Sequence, residues 1–273
     1  MKRVSLLDGG EYNSNWISDF YDQAHVWWGD DPQEPRVHLA RVQTVARLAG
    51  TGPWRILELG AGAGHSAAAL SDAGHDVTAV ELSPRRASAA KSLAAIPRKG
   101  RMTAVEADFF TIQLEGRFDL VCCWETFGLG TDADQRRLLR RIAQDWLTPQ
   151  GCALLEVYNP FKPAAQAGQD IHLDPLPGVP GSVEMIEKTH FDPLHGQWTD
   201  EWVPVEHPEN ALAQTIRCYN VPEFQLLLEG TGLRMDHLEV NGEALDFRSN
   251  EITPGGPLLE AWSYLVCLRP EDQ

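Results

Sequence analysis

Residues 55–64 read RILELGAGAG, an apolar run that takes in Glu58 and breaks into glycine at positions 60, 62 and 64. Alternating glycines after a strand let the backbone approach a ligand closely at the start of a helix. Residues 75–81, HDVTAVE, form a second apolar run that ends on Glu81, 21 positions after Gly60. An acid at the tip of the next strand can accept hydrogen bonds from both ribose hydroxyls. The pair points to a bound adenosine. A nicotinamide dinucleotide is the first alternative, but its fingerprint wants a glycine where His65 stands. Glu58 would also repel a pyrophosphate, whereas it would hold a cationic ligand. A sulfonium with an amino-acid tail, S-adenosylmethionine, fits both ends.

Outward from this stretch the chain alternates. Strands are expected at 55–59, 76–81, 102–107, 118–124 and 152–158, and helices at 65–73, 84–94 and 133–147, which predicts a doubly wound parallel sheet. Ser83 followed by Pro84 is a helix start, and Thr131 or Asp132 caps the third of these helices. That helix turns Leu138, Leu139, Ile142 and Trp146 inward and leaves Arg136, Arg137, Arg140 and Arg141 as a solvated face. A turn is expected at 148–151. Upstream, residues 35–48 carry an apolar helical stripe that includes Val37, Leu39, Val42, Val45 and Leu48. Residues 1–50 are therefore read as a helical cap segment and 51–273 as the main domain. Residues 160–215 are proline-rich, with β-like runs at 182–189 and 197–203, and are expected to form an insertion of one or two hairpins covering a pocket. A helix at 221–228 and an antiparallel pair of strands at 234–240 and 262–268, joined through Pro254–Pro257, close the fold.

Composition narrows the partners. Lys and Arg number 23 against 39 Asp and Glu, a net charge of −16, which disfavours nucleic acid. The same acidity suits an amine substrate or simply a soluble surface. Five cysteines without CxxC spacing fit a reducing compartment. No stretch approaches the length of a bilayer span, and the opening residues lack a signal-like apolar run, so a cytoplasmic protein with no membrane partner is expected. Nothing in the sequence specifies an oligomeric state.

At these residues the chain resembles the class I methyltransferase family. ELGAGAG is similar to its first motif, VTAVELS to the second, VEADFF to the third, and FDLVCCWETFGLG with LTPQGCALLEVYNP to the fourth and fifth. The resemblance runs from about Trp54 to Asn159 and more loosely to the last strand. It implies a Rossmann-like, seven-stranded sheet with a reversed final strand and S-adenosylmethionine as cofactor. It further implies Glu58, Gly60, Ala61, Gly62 and Gly64 near the methionine moiety, Glu81 on the ribose with Leu82 beside it, Asp108 on the adenine amino group and Phe109 against the ring. Of Phe109 and Phe110, only one is expected to touch adenine. Trp124 and Tyr21 are assigned to the cofactor's surroundings as well.

The acceptor site should lie beyond the strand ends, walled by aromatics from the opening segment (Tyr12, Trp16, Tyr21, Trp27, Trp28), by residues 124–127 and by the insertion. Methyl transfer needs alignment, and a base only where the nucleophile must lose a proton. Glu125 is the first candidate for that base or for binding a substrate amine, against the alternative of a carboxylate that supports the cofactor or caps a helix. Tyr158 with Asn159, and His195 among the insertion's histidines His172, His190 and His207, are further candidates. WETF stands where amide and nucleobase N-methyltransferases carry Asn-Pro-Pro-aromatic, which disfavours those substrates. No Asp/Asn cluster suits magnesium, so no metal is expected. The reading is a methyltransferase acting on oxygen or nitrogen of a small metabolite, in bacterial secondary metabolism. A protein or peptide methyltransferase and a non-catalytic cofactor-binding subunit are the alternatives.

Overall fold

The structure is a computed structural model that describes residues 14–29, 35–249 and 256–271; Tyr12 and the loop at Pro254 lie outside these. In chain order the elements begin with helices α1 (Ser14–Trp28) and α2 (Pro35–Ala49), then β1 (Arg55–Leu59), α3 (His65–Asp72), β2 (Asp76–Glu81) and α4 (Pro84–Ala94). Next come β3 (Arg101–Glu106), β4 (Phe118–Phe127), α5 (Asp132–Arg141) and β5 (Leu147–Tyr158). A second group follows: α6 (Phe161–Gln166), β6 (Asp170–Leu173), β7 (Met185–Asp192), β8 (Gln197–Pro204) and β9 (Leu212–Arg217). The chain closes with α7 (Val221–Leu228), β10 (Leu233–Val240), the short β11 (Glu243–Ala244) and β12 (Ser263–Pro270).

The main sheet runs β11-β10-β12-β5-β4-β1-β2-β3. Strands β3, β2, β1, β4 and β5 are parallel, and β12 is antiparallel to both β5 and β10. The expected seven strands and reversed last strand are present, and the two-residue β11 adds an eighth at the edge. Alternation along the strands divides the core in two. Leu57, Leu59, Val121, Cys123 and Leu155 pack with α5 and α7, whereas Ile56, Leu120, Cys122 and Leu154 pack with α2, α3 and α4. Glu58 falls on the second side, among the α2 and α3 contacts.

Several local expectations are corrected. The helix foreseen to Leu147 leaves the α form after Arg141 and finishes in one π turn, Ile142–Trp146, which keeps both Ile142 and Trp146 buried. The turn foreseen at 148–151 is a bulge inside β5, because Leu147 pairs with Phe118 and Cys152 with Leu120, leaving 148–151 opposite Asp119 alone. Helix α2 is rotated from its apolar stripe: His38 and Val45 are buried and Leu39 is 60 % exposed. The arginines of α5 form a solvated face only in part: Arg137 and Arg140 are exposed, Arg136 and Arg141 half-buried. Arg136 and Arg140 donate to the carbonyls of Leu226, Glu229 and Gly230 at the end of α7, as basic residues do at helix C-termini. Arg141 donates to the carbonyls of Phe109 (2.6 Å) and Ile112, fixing the loop between β3 and β4.

Residues after β5 form a separate antiparallel sheet, β6-β7-β8-β9, more regular than the hairpin or two expected of them. Trp198, Asp200 and Trp202 of β8 alternate onto one face of this sheet, and all three line the cavity beneath it. Helix α1 closes the side, with Phe20 stacked on Trp202 at 5.5 Å and Trp28 against Trp202 at 4.4 Å.

Candidate active site

A cavity of about 380 Å³ lies at the C-terminal ends of β1, β2 and β4, between the main sheet, α1 and the second sheet. Its first half is the glycine turn. Gly60 and Gly62 have φ of +65° and +57°. A Cβ on Gly60 would sit 2.4 Å from Thr126 Oγ1, whereas one on Gly62 would meet nothing within 4 Å. Gly60 is thus fixed by the neighbouring strand end, and Gly62 leaves open space on the ligand side. Glu81 holds this turn to the next helix: Gly62 N–H donates to Oε2 at 2.8 Å and Ser83 N–H to Oε1 at 2.8 Å. Each oxygen keeps a second lone pair, the geometry a vicinal diol requires.

Glu58 is 2 % exposed, and its Oε2 has no hydrogen-bond partner. Burial pushes its carboxyl up to about 7, with Arg41 opposing and Glu81 reinforcing the shift. A buried carboxyl with an unpartnered oxygen is costly to ionise, and a positive group placed beside it would lower that cost. Below about pH 4.5 Glu58 is protonated folded or unfolded. Between 4.5 and 7 the folded chain holds more protons, so stability falls as pH rises through that window. Glu58→Gln is accordingly expected to raise the melting temperature of the free protein at pH 8 and to leave it unchanged near pH 4. The same variant is expected to weaken S-adenosylmethionine binding, and thermal shifts at both pH values with and without cofactor check both signs.

Arg41, missed in the sequence because α2 was read only by its apolar stripe, projects into the cavity. Its guanidinium donates to Ser66 Oγ (3.0 Å) and Glu125 Oε2 (2.9 Å) and lies 5.3 Å from the Trp124 ring centroid. Glu125 has φ of +53°, a left-handed conformation uncommon for a residue with a side chain. Glu156 behind it is pushed up by burial and by Glu125. Tyr158 donates to the Glu125 carbonyl at 3.4 Å, and burial with the nearby carboxylates raises its phenol well above the usual value, keeping it neutral. Tyr21 is pushed up to about 12 by burial and donates to Gln214 Oε1, with the Arg86 guanidinium 4.8 Å over its ring.

The structure brings together Glu58, Gly60, Ala61, Gly62, Gly64, Glu81, Leu82, Phe109, Trp124, Glu125, Tyr158 and Tyr21 around this one cavity. Asp108 and His195 are placed otherwise. Asp108 Oδ1 accepts from Phe110 N at 2.7 Å in a local turn, and the residue is outside the lining. His195 stands in the exposed turn between β7 and β8, bonded to Asp192 at 2.6 Å, because the Asp-Pro-Leu-His-Gly sequence turns it away from the sheet's inner face. Phe109 lines the cavity while Phe110, also buried, sits under Arg137. Asn159 is structural, donating to the carbonyls of Leu258 and Ala261.

Asp200 escaped the sequence reading. The available signal was the alternation Trp198-Asp200-Trp202, an acid at the centre of an inward-facing aromatic face.

A family model described as a methyltransferase domain matches residues 28–238, so the chain belongs to that family, the class I S-adenosylmethionine-dependent methyltransferases. A ubiquinone biosynthesis O-methyltransferase of Aromatoleum aromaticum is 29 % identical over 113 residues, 40 % of this chain and 48 % of the relative. The match therefore spans about half the length of that relative. Among solved structures, the CcbJ methyltransferase of Streptomyces caelestis superposes with a TM-score of 0.69 at 21 % identity, covering 90 % of this chain and 99 % of that one. The sugar N-methyltransferase KedS8 of a Streptoalloteichus species superposes with a TM-score of 0.62 at 19 % identity, covering 89 % and 91 %. At these identities the likeness is one of fold. Among the described residues, no helix is long and apolar enough to cross a membrane.

Proposed function

We propose that the protein transfers a methyl group from S-adenosylmethionine to a nitrogen or oxygen of a small molecule. The observation that carries this is one cavity with two unlike halves: a glycine turn with Glu81 and with Glu58, whose Oε2 is unpartnered, on one side, and an aromatic chamber on the other. When bound, the cofactor supplies a methyl group on a sulfonium, activated for displacement. Glu81 is assigned to the ribose, Phe109 to the adenine face and Glu58 to the positive methionine end. Arg41, tied to Glu125 and Ser66, aligns the floor between the halves. Tyr21, Trp28, Tyr158, Trp198 and Trp202 exclude water from the acceptor.

The second sheet closes over the cavity, and this favours a small acceptor over a docked protein. The O-methyltransferase relative and the sugar N-methyltransferase fold neighbour support a small-molecule acceptor, and their two chemistries keep both acceptor atoms in the proposal.

Incubation with S-adenosylmethionine and a panel of amines, phenols and carboxylates tests the activity. S-Adenosylhomocysteine should form together with a product heavier by one methylene. Tight cofactor binding without turnover across the panel would instead favour a non-catalytic binding subunit.

A further inference from the structure

Asp200 projects from the centre of β8 into the aromatic half of the cavity and is 3 % exposed. Its Oδ1 has no hydrogen-bond partner. Its bonded neighbours are Gln214, across the strand pair on β9, and Glu187 on β7, neither of them a cation. A buried carboxyl with one oxygen unpartnered and no cation bonded to it is expensive to ionise unless a cation arrives. Around it stand Tyr21, Trp28, Trp198, Trp202 and Tyr158, with Tyr158 and Trp198 ring centroids 5.4 Å apart. The indole N–H of Trp198 is likewise buried without a partner. Aromatic faces around a carboxylate form a chamber for a cation that carries alkyl groups.

Resting on the methyltransferase reading, we infer that the acceptor is an aliphatic amine, and that Asp200 binds its ammonium form and takes up one of its protons. The alternatives fit the chamber poorly. A phenolate or carboxylate acceptor would find no free cation beside Asp200 among the described residues, since of the two arginines in the lining Arg41 is paired with Glu125 and Arg86 lies over the Tyr21 ring.

The proton step balances simply. An ammonium N–H bond breaks, its electron pair stays on nitrogen as the lone pair needed for attack, and the proton forms an O–H bond on the Asp200 carboxylate. Burial and the adjacent Glu187 hold the Asp200 carboxyl well above the usual carboxylate range, which favours this direction of transfer. The methyl transfer leaves the positive charge on nitrogen, so the product is formed directly as an ammonium, and the aromatic walls accept its added methyl.

The test uses the whole chain saturated with S-adenosylhomocysteine at pH 7.5, probed with cyclohexylamine and cyclohexanol by ligand-observed NMR titration. The amine should bind at least about tenfold more tightly than the alcohol. In Asp200→Asn that preference should vanish, with alcohol affinity and S-adenosylhomocysteine affinity each within twofold of the wild type. Equal binding of the two probes by the wild-type protein, undetectable amine binding, or an unchanged preference in Asp200→Asn each overturns the inference. Comparing the probes on the wild-type chain needs no variant and decides the matter even where Asp200→Asn does not fold. Failure to bind S-adenosylhomocysteine counts against the proposed function instead, so the two failures separate.

Discussion

Glu81→Ala should weaken S-adenosylhomocysteine binding by at least about 100-fold, or roughly 2.7 kcal/mol, as read by titration calorimetry. The carboxylate does two things in one place. It receives the backbone N–H groups of Gly62 and Ser83, so it sets the glycine turn against the start of α4. It also presents its remaining lone pairs to the cavity, where a ribose diol would find them. Hydrogen bonds to a charged group are worth about 1.5–3 kcal/mol each, and alanine removes all of them together. Glu81→Gln keeps the size and some acceptor capacity, and should lose about tenfold. Affinity in Glu81→Ala within threefold of the wild type would remove Glu81 from the ribose site.

Gly60→Ala is the second large effect, this time on stability. Holding an alanine at the observed φ of +65° costs about 1–2 kcal/mol. Its Cβ would also overlap the Thr126 side chain, with Cγ2 at 2.7 Å as well as Oγ1 at 2.4 Å. Such overpacking adds about 1–3 kcal/mol. At roughly 2–4 °C per kcal/mol in a chain of this size, the melting temperature should fall by about 8 °C. Gly62→Ala has the same backbone penalty but open space, so its fall should be less than half as large. Adding Thr126→Ala to Gly60→Ala should recover part of the loss, because it removes the two closest atoms. A Gly60→Ala protein as stable as the wild type would mean that the turn is not packed as described.

The gathering of the glycine turn, Glu58 and Glu81 at one cavity was legible because its signals are local. The glycine step, Glu58 inside its strand and Glu81 at the end of the next are fixed by a few residues of chain, and the parallel sheet follows from the alternation around them. Asp108 shows what a short string leaves out: its Oδ1 accepts from Phe110 N–H in a local turn beside the cavity-lining Phe109. Arg41 and Asp200 depend on contacts distant in sequence. Arg41 reaches Glu125 only because α2 packs on α3 with His38 and Val45 inward, a rotation its apolar residues did not specify. Asp200 becomes a cavity residue only when β7, β8 and β9 pair in the observed register and the sheet folds back over β4 and β5. His195 failed for the opposite reason: its turn is local, and it points the ring outward.

The most direct test is a crystal structure of the protein with S-adenosylhomocysteine. The ligand should occupy the cavity with its adenine against Phe109, its ribose hydroxyls on Glu81, its amino group beside Glu58 and its sulfur facing the chamber that holds Asp200. Density for the ligand outside this cavity, or inside it with the ribose away from Glu81, would contradict the assignment on which the account rests.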